Sequence, residues 1–108
     1  MISNRDNIIY STDIIDRIEK LKDEDTSDEL IALKQLAKEA SSSPDWEYGE
    51  YLIRNSYFTK YIMEFLRDCG ELPKLPHYII INEEATANNI QQNYISVNFN
   101  GVTYWIRR

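Results

Sequence analysis

The chain has 108 residues, 43% of them hydrophobic and 28% charged, a composition typical of one globular domain with its own core. No apolar run approaches the roughly 20 residues of a membrane-spanning helix, and the first residues lack the apolar segment of a signal peptide. The net charge is −6, and residues 13–50 carry twelve acidic against five basic side chains. Nucleic acid is bound through basic surfaces, so direct DNA or RNA binding is disfavoured and a basic protein partner is favoured. With a single cysteine and no membrane segment, the sequence predicts a cytoplasmic protein.

The first half predicts a helical hairpin over about residues 11–41. Residues 7–10, Asn-Ile-Ile-Tyr, fit either a short edge strand or the lead-in to a helix. Ser11 or Thr12 is expected to cap a helix that ends near residue 22. A second helix is expected from Ser27, after a short acidic loop. The helical spacing is set by Ile14, Ile15, Ile18 and Leu21 in the first helix and by Leu30, Leu33, Ala37 and Ala40 in the second.

The middle of the chain predicts two more helices, a short strand and a further helix. Asp45 is expected to cap a short helix through residues 46–53, and Ser56 a longer one. The apolar face of the longer helix consists of Phe58, Tyr61, Ile62, Phe65, Leu66 and Cys69, which places Cys69 in the core. Residues 77–81 have strand propensity, and Asn82 is expected to cap a helix over 83–91.

The C-terminal residues predict a β-hairpin over 93–99 and 102–107, joined by a type I′ turn at Asn100-Gly101. That register puts one apolar set on the core face, expected to pack on the helix of Phe58: Ile95, Val97, Phe99, Val102, Tyr104 and Ile106. Trp105 takes the other face, where either the helical first half covers it or it is an exposed contact residue. The predicted fold is one α+β domain over 1–108. An N-terminal helical hairpin is followed, within about residues 45–108, by further helices and a small antiparallel sheet that ends in a C-terminal β-hairpin.

Patterns for catalysis and metal binding are weak. Cys69 and His77 are the only residues of their types, and no Gly-rich phosphate loop is present. Residues 23–29, Asp-Glu-Asp-Thr-Ser-Asp-Glu, lack the glycine and terminal glutamate of a calcium loop. The sequence therefore predicts a binding protein rather than an enzyme, with no metal and no cofactor.

The segment YFTKYIMEFLRDCGELPKLPHYIIINEEATANNI, residues 57–90, resembles the C-terminal subdomain of ArdA-type antirestriction proteins. The residues that fit the order of that family are Tyr61, Gly70, Leu72, Pro73, Leu75, Tyr78 and Ile79. Where the family has an aspartate before the short helix, this chain has Asn82. The whole chain is also similar to small phage and mobile-element proteins, through PDWEYGEYLIRNSYF at 44–58 and FNGVTYWIR at 99–107.

The resemblance implies an antidefence protein that mimics DNA. Such a protein presents carboxylates in place of duplex phosphates and occupies the basic DNA groove of a host restriction or CRISPR-type nuclease complex. The acidic candidates are Asp13, Asp16, Glu19, Asp23, Glu24, Asp25, Asp28, Glu29, Glu39, Asp45, Glu47 and Glu50, and Trp105 is a further contact candidate. Two alternatives stay open: the acids form an ordinary solvated surface, or the chain is a non-catalytic interaction module, including a homodimer, that binds through Trp105, Trp46 and its tyrosines.

Overall fold

An antiparallel four-stranded sheet with helices on both faces organises the part of the chain that the structure, a computed structural model, describes: residues 2–22, 28–70 and 81–108. The strands are β1 (Ile8–Tyr10), β2 (Tyr51–Arg54), β3 (Tyr94–Phe99) and β4 (Val102–Arg107), in the sheet order β1-β2-β4-β3. The helices are α1 (Ser11–Leu21), α2 (Asp28–Ala40), α3 (Phe58–Asp68) and α4 (Glu83–Gln91). This architecture confirms the predicted α+β class.

The C-terminal hairpin has the predicted register. Phe99 pairs with Val102 and Ile95 with Ile106. Asn100 and Gly101 both have positive φ, at 50° and 83°, as a type I′ turn requires. The Asn98 side chain accepts a hydrogen bond from the Gly101 amide at 3.1 Å, which fixes the turn further.

The apolar face of this hairpin packs on α1 and α2, so the prediction that it packs on the helix of Phe58, Tyr61 and Phe65 is wrong. The shared cluster includes Ile14, Leu33, Leu36, Val97, Phe99, Tyr104 and Ile106. The reason is that β2 joins the sheet beside β4, and α3 follows β2 on the opposite face.

Helices α3 and α4 cover that opposite face, and Trp105 packs there. Its ring centroid lies 6.0 Å from that of Phe58, and its Nε1 donates to the Asn55 side chain at 2.9 Å. The residue is partly buried beside the cluster of Phe58, Ile62 and their neighbours. Trp105 is therefore packed within the chain, but by α3 and not by the helical first half.

The helix expected over residues 46–53 is absent, and that prediction is wrong. Residues 44–48 form turns, and β2 begins at Tyr51. Leu52 and Ile53 are adjacent and both buried, because a central strand buries successive side chains on its two faces. Gly49 has φ +124°, and a Cβ there would lie 2.1 Å from the Tyr10 hydroxyl oxygen, so the glycine is needed both for its backbone conformation and for the close approach of Tyr10.

The start of α1 is held by a different contact from the predicted cap. The Ser11 hydroxyl accepts from the Glu50 amide at 2.7 Å, and the Ser11 amide donates to the Glu50 carbonyl at 2.8 Å. In the described part of the chain no side chain caps the start of α1, so the prediction for Ser11 or Thr12 is wrong. Residues 8–10 form an edge strand that pairs with β2 and runs directly into α1.

Three other local predictions have mixed outcomes. Asn82 caps α4 as predicted, its side chain accepting from the Ala85 amide at 3.0 Å. Ser56 does not cap α3, because a 3₁₀ turn at Asn55–Tyr57 precedes that helix and the Ser56 hydroxyl accepts from Arg54. Cys69 is exposed at the end of α3 rather than in the core. The helix start at Ser27 and most of the strand at 77–81 lie outside the described residues.

Candidate functional site

The acidic candidates on α1 share one exposed side of the helix. Asp13, Asp16 and Glu19 follow at three-residue spacing, and all three side chains are exposed. Asp13 and Asp16 also line a shallow depression of about 400 Å³ together with Asp6 and Ile2. Arg17 and Lys20 line the same depression, so its charge is mixed with an acidic excess.

Among the acidic candidates that the structure describes, Glu29 and Glu19 form ion pairs. The Arg17 guanidinium binds both carboxylate oxygens of Glu29, at 2.9 to 3.3 Å, and Glu29 is largely covered. This pair ties α1 to α2 and takes Glu29 out of the free acidic surface. Glu19 pairs with Lys22 at 3.0 Å, but both side chains are mostly exposed, so that pair is weak and easily exchanged.

The remaining acidic candidates are spread over α2 and the turn before β2. Asp28, Asp45 and Glu47 are exposed, whereas Glu39 and Glu50 are partly buried. The Glu50 carboxylate accepts from the Tyr51 amide at 3.0 Å. The candidates Asp23, Glu24 and Asp25 lie outside the described residues.

A second surface is the open end of the sheet. Tyrosines were predicted as contact residues, but their grouping at this place was not. The surface consists of Ile8, Tyr10 and Tyr51, which share the α3–α4 face with Ile53 but remain 37% to 47% exposed. The Tyr10 and Tyr51 rings lie 5.2 Å apart. Helical spacing assigned Tyr51 to a helix, so only the strand pairing of residues 8–10 with 51–53 reveals this surface. Trp46, the other predicted contact residue, is buried in the α1–α2 core.

A third surface, the apolar groove, lies between α3, α4 and the last residues of β4. It has a volume of about 450 Å³, and its walls are formed by Ile62, Phe65, Leu66 and Ile90. Its lining also includes Asn93, Tyr94, Arg107 and Arg108. The sequence indicated an apolar α3 but gave no sign that Phe65 would stay at the surface.

Burial and hydrogen bonding raise the pKa of three side chains near these surfaces, Tyr61, Tyr104 and Arg107. Burial raises the pKa of Tyr61, and the neighbouring Tyr94 adds to the effect. Burial likewise raises the pKa of Tyr104 to about 12. A hydrogen bond with the Tyr94 side chain raises the pKa of Arg107, so this guanidinium stays charged.

The described residues contain no group of three or more His, Cys, Asp or Glu side chains placed to hold a metal ion. None of the helices in residues 2–22, 28–70 and 81–108 has the length and apolarity to cross a membrane. His77 lies outside the described residues. Comparison of the chain with protein-family models, with curated proteins and with solved structures found no match.

Proposed function

We propose that this chain is an antidefence protein that binds the DNA groove of a host restriction or CRISPR-type nuclease complex through the acidic side of α1. The observation that supports this most is the exposed row of Asp13, Asp16 and Glu19, with Asp6 beside it. The family resemblance of residues 57–90 supplies the class of target. The site of action is the host cytoplasm, where such enzymes meet incoming DNA.

The spacing of this row suits a phosphate-binding groove. A helix rises 1.5 Å per residue, so carboxylates three residues apart are separated by about 4.5 Å along the axis. Phosphates along one DNA strand are separated by about 3.4 Å. The row is sparser than a strand of duplex, so the proposed contact is electrostatic capture rather than a residue-by-phosphate copy, and salt weakens it.

The test is a charge-removal variant with Asp13→Asn, Asp16→Asn and Glu19→Gln together. A purified type I restriction enzyme and a CRISPR nuclease are assayed for DNA binding and cleavage with increasing amounts of the protein, at low and physiological salt. The unaltered chain should displace DNA, and the variant should need at least about tenfold more protein for the same effect.

A matched control removes three exposed acids elsewhere, through Glu64→Gln, Asp68→Asn and Glu84→Gln on α3 and α4. Both proteins then have the same net charge, so the control isolates position from total charge. Circular dichroism checks that both remain folded. Equal loss in the two variants, or full inhibition by the α1 variant, would contradict the use of α1.

A second candidate function is a non-catalytic interaction module, favoured by the open end of the sheet. Aromatic side chains that stay exposed on a rigid strand are common anchors of protein interfaces. Trp105 is a poor probe of this idea because it packs on Phe58. Changing Tyr51→Thr keeps strand propensity while removing the exposed ring, and Ile31→Ala, which is 57% exposed on α2, serves as the control.

The two candidates predict opposite results for one pair of variants. If the module binds through the open end of the sheet, Tyr51→Thr weakens self-association or partner binding measured by light scattering, and the α1 charge variant does not. If the acidic side of α1 makes the contact, the pattern reverses.

A further inference from the structure

The apolar groove differs in character from the acidic side of α1. Its walls are apolar, yet two arginines, Arg107 and Arg108, stand at the end where β4 finishes. Phe65 is 41% exposed, although its neighbours Ile62 and Leu66 on the same helix are buried. Part of the apolar surface of α3 is therefore left uncovered beside fixed positive charge.

Both arginines lie beside Tyr94. Arg107 is the cross-strand neighbour of Tyr94 in the β3–β4 pair, and the Tyr94 carbonyl accepts from Arg108 Nε at 3.3 Å. The Arg108 amide also donates to the Asn93 carbonyl at 3.0 Å. The Arg108 side chain, held by its Nε hydrogen bond, loses less conformational entropy when it binds a carboxylate. Glu50 attracts Arg107 electrostatically, but the two side chains do not form an ion pair.

We propose that the apolar groove binds an acidic amphipathic peptide segment of a protein partner, with apolar side chains against Phe65 and carboxylates on Arg107 and Arg108. The volume of about 450 Å³ accommodates a few apolar side chains and lies within the range of known ligand sites. Arginine pairs carboxylates bidentately, so the charge at the rim selects acidic over basic segments. This site is separate from the acidic side of α1 and does not depend on the proposed function.

The test uses two fluorescein-labelled peptides of the same length with leucines at helical spacing. One carries glutamates beside the leucines, and the other carries lysines at the same positions. Fluorescence polarisation with the full chain should show that the glutamate peptide binds at least about tenfold more tightly than the lysine peptide, and that salt reduces the difference.

Two variants locate the binding. Phe65→Ser removes the exposed ring, and Arg107→Gln removes a rim charge while keeping a hydrogen-bonding side chain. Each should weaken binding of the glutamate peptide by about threefold to tenfold. Arg5→Gln, which removes an exposed arginine outside the groove, is the matched control and should leave binding unchanged.

Several results would overturn the proposal. These are equal binding of both peptides, equal effects of Arg107→Gln and Arg5→Gln, and no binding of either peptide at about 1 mM, the weak end of specific recognition. Self-association that Phe65→Ser abolishes would assign the groove to a second copy of the chain and would equally overturn it.

Discussion

The two faces of the sheet are covered by helices to different extents. Among the described residues, the cluster under α1 and α2 contains thirteen buried residues, and the cluster under α3 and α4 contains seven. Over the first cluster, the outer side of α1 carries charged residues such as Asp13 and Asp16, whereas Ile31 on α2 is 57% exposed. The second cluster leaves apolar side chains at its margins, namely Ile8, Tyr10 and Tyr51 at one place and Phe65 at another.

This difference separates two kinds of recognition on one small fold. A partner that binds by charge can contact the outer side of α1, because the apolar residues of this helix point towards the core. A partner that needs apolar contact finds the α3–α4 face, where coverage is incomplete. The proposed function and the proposed groove ligand thus use opposite sides of the sheet.

The largest effects are expected from truncation of fully buried side chains on each face. Leu33→Ala truncates a buried side chain of α2, and Ile62→Ala truncates one of α3. Each of the two side chains is at most 1% exposed. Each should lower the free energy of unfolding by about 2–5 kcal/mol, since each leaves a cavity. Urea denaturation measures the loss. If Ile62→Ala lowers the free energy of unfolding by less than about 1 kcal/mol, the α3–α4 layer contributes little to stability. The two faces would then not be comparable as packed layers.

A smaller loss is expected at Trp105, which the sequence offered as a contact residue. Trp105→Ala removes the packing on Phe58 and the hydrogen bond to Asn55, and should cost about 2–3 kcal/mol because the side chain is only partly buried. Trp105→Phe keeps most of the packing and should cost about 1 kcal/mol, the value of one hydrogen bond. A Trp105→Ala variant as stable as the unaltered chain would return this residue to the list of contact candidates.

Local signals predicted the elements that local physics decides. The Asn100-Gly101 turn fixes the register of β3 and β4 by its own geometry, and Asn82 caps α4 with its own side chain. The helix predicted over residues 46–53 is wrong because Leu52 and Ile53 are buried on opposite faces of the sheet. Two adjacent apolar residues do not show the alternation of a half-buried strand, so the sequence pattern does not distinguish a central strand from a buried helix.

The surfaces depend on tertiary pairing, so the sequence revealed them less well. The acidic charge of residues 13–50 and the family resemblance made the acids of α1 candidates, and Asp13, Asp16 and Glu19 are exposed in the structure. The exposure of Tyr51 follows from the pairing of β1 with β2, two segments about 40 residues apart in the chain. The pairing of Arg17 with Glu29 likewise depends on how α1 meets α2, a relation that no local pattern contains.

Tyr104 links the α1–α2 face to the N-terminal residues and gives a pH-dependent test. Its hydroxyl donates to the Asp6 carbonyl, and Tyr104→Phe should cost about 1 kcal/mol at neutral pH. Burial raises the Tyr104 pKa to about 12, above the value near 10 of an unfolded tyrosine. The unfolded state therefore loses its proton first, so this contribution is complete below pH 10 and is lost as the pH rises towards 12.

Thermal unfolding between pH 9 and about 12 measures this effect. The unaltered chain should lose stability with a steeper slope than Tyr104→Phe, and the variant should keep a residual slope because burial also raises the pKa of Tyr61. Parallel slopes for the two proteins would contradict the assignment to Tyr104.

The smallest effects concern the two ion pairs at α1, and they decide which acids are free to bind a partner. Arg17 and Lys22 make further interactions, so the stability loss of a single variant does not isolate one pair. A double-mutant cycle, in which each partner is changed to glutamine alone and together, gives the coupling free energy of each pair. Arg17 and Glu29 should couple by about 1 kcal/mol because the contact is bidentate and Glu29 is largely covered. Glu19 and Lys22 should couple by less than about 0.5 kcal/mol because both are exposed. If the second coupling equals the first, Glu19 is held as firmly as Glu29. The acidic row of α1 then shrinks to Asp13 and Asp16 and its length along the axis falls from about 9 Å to about 4.5 Å, little more than one phosphate spacing of about 3.4 Å.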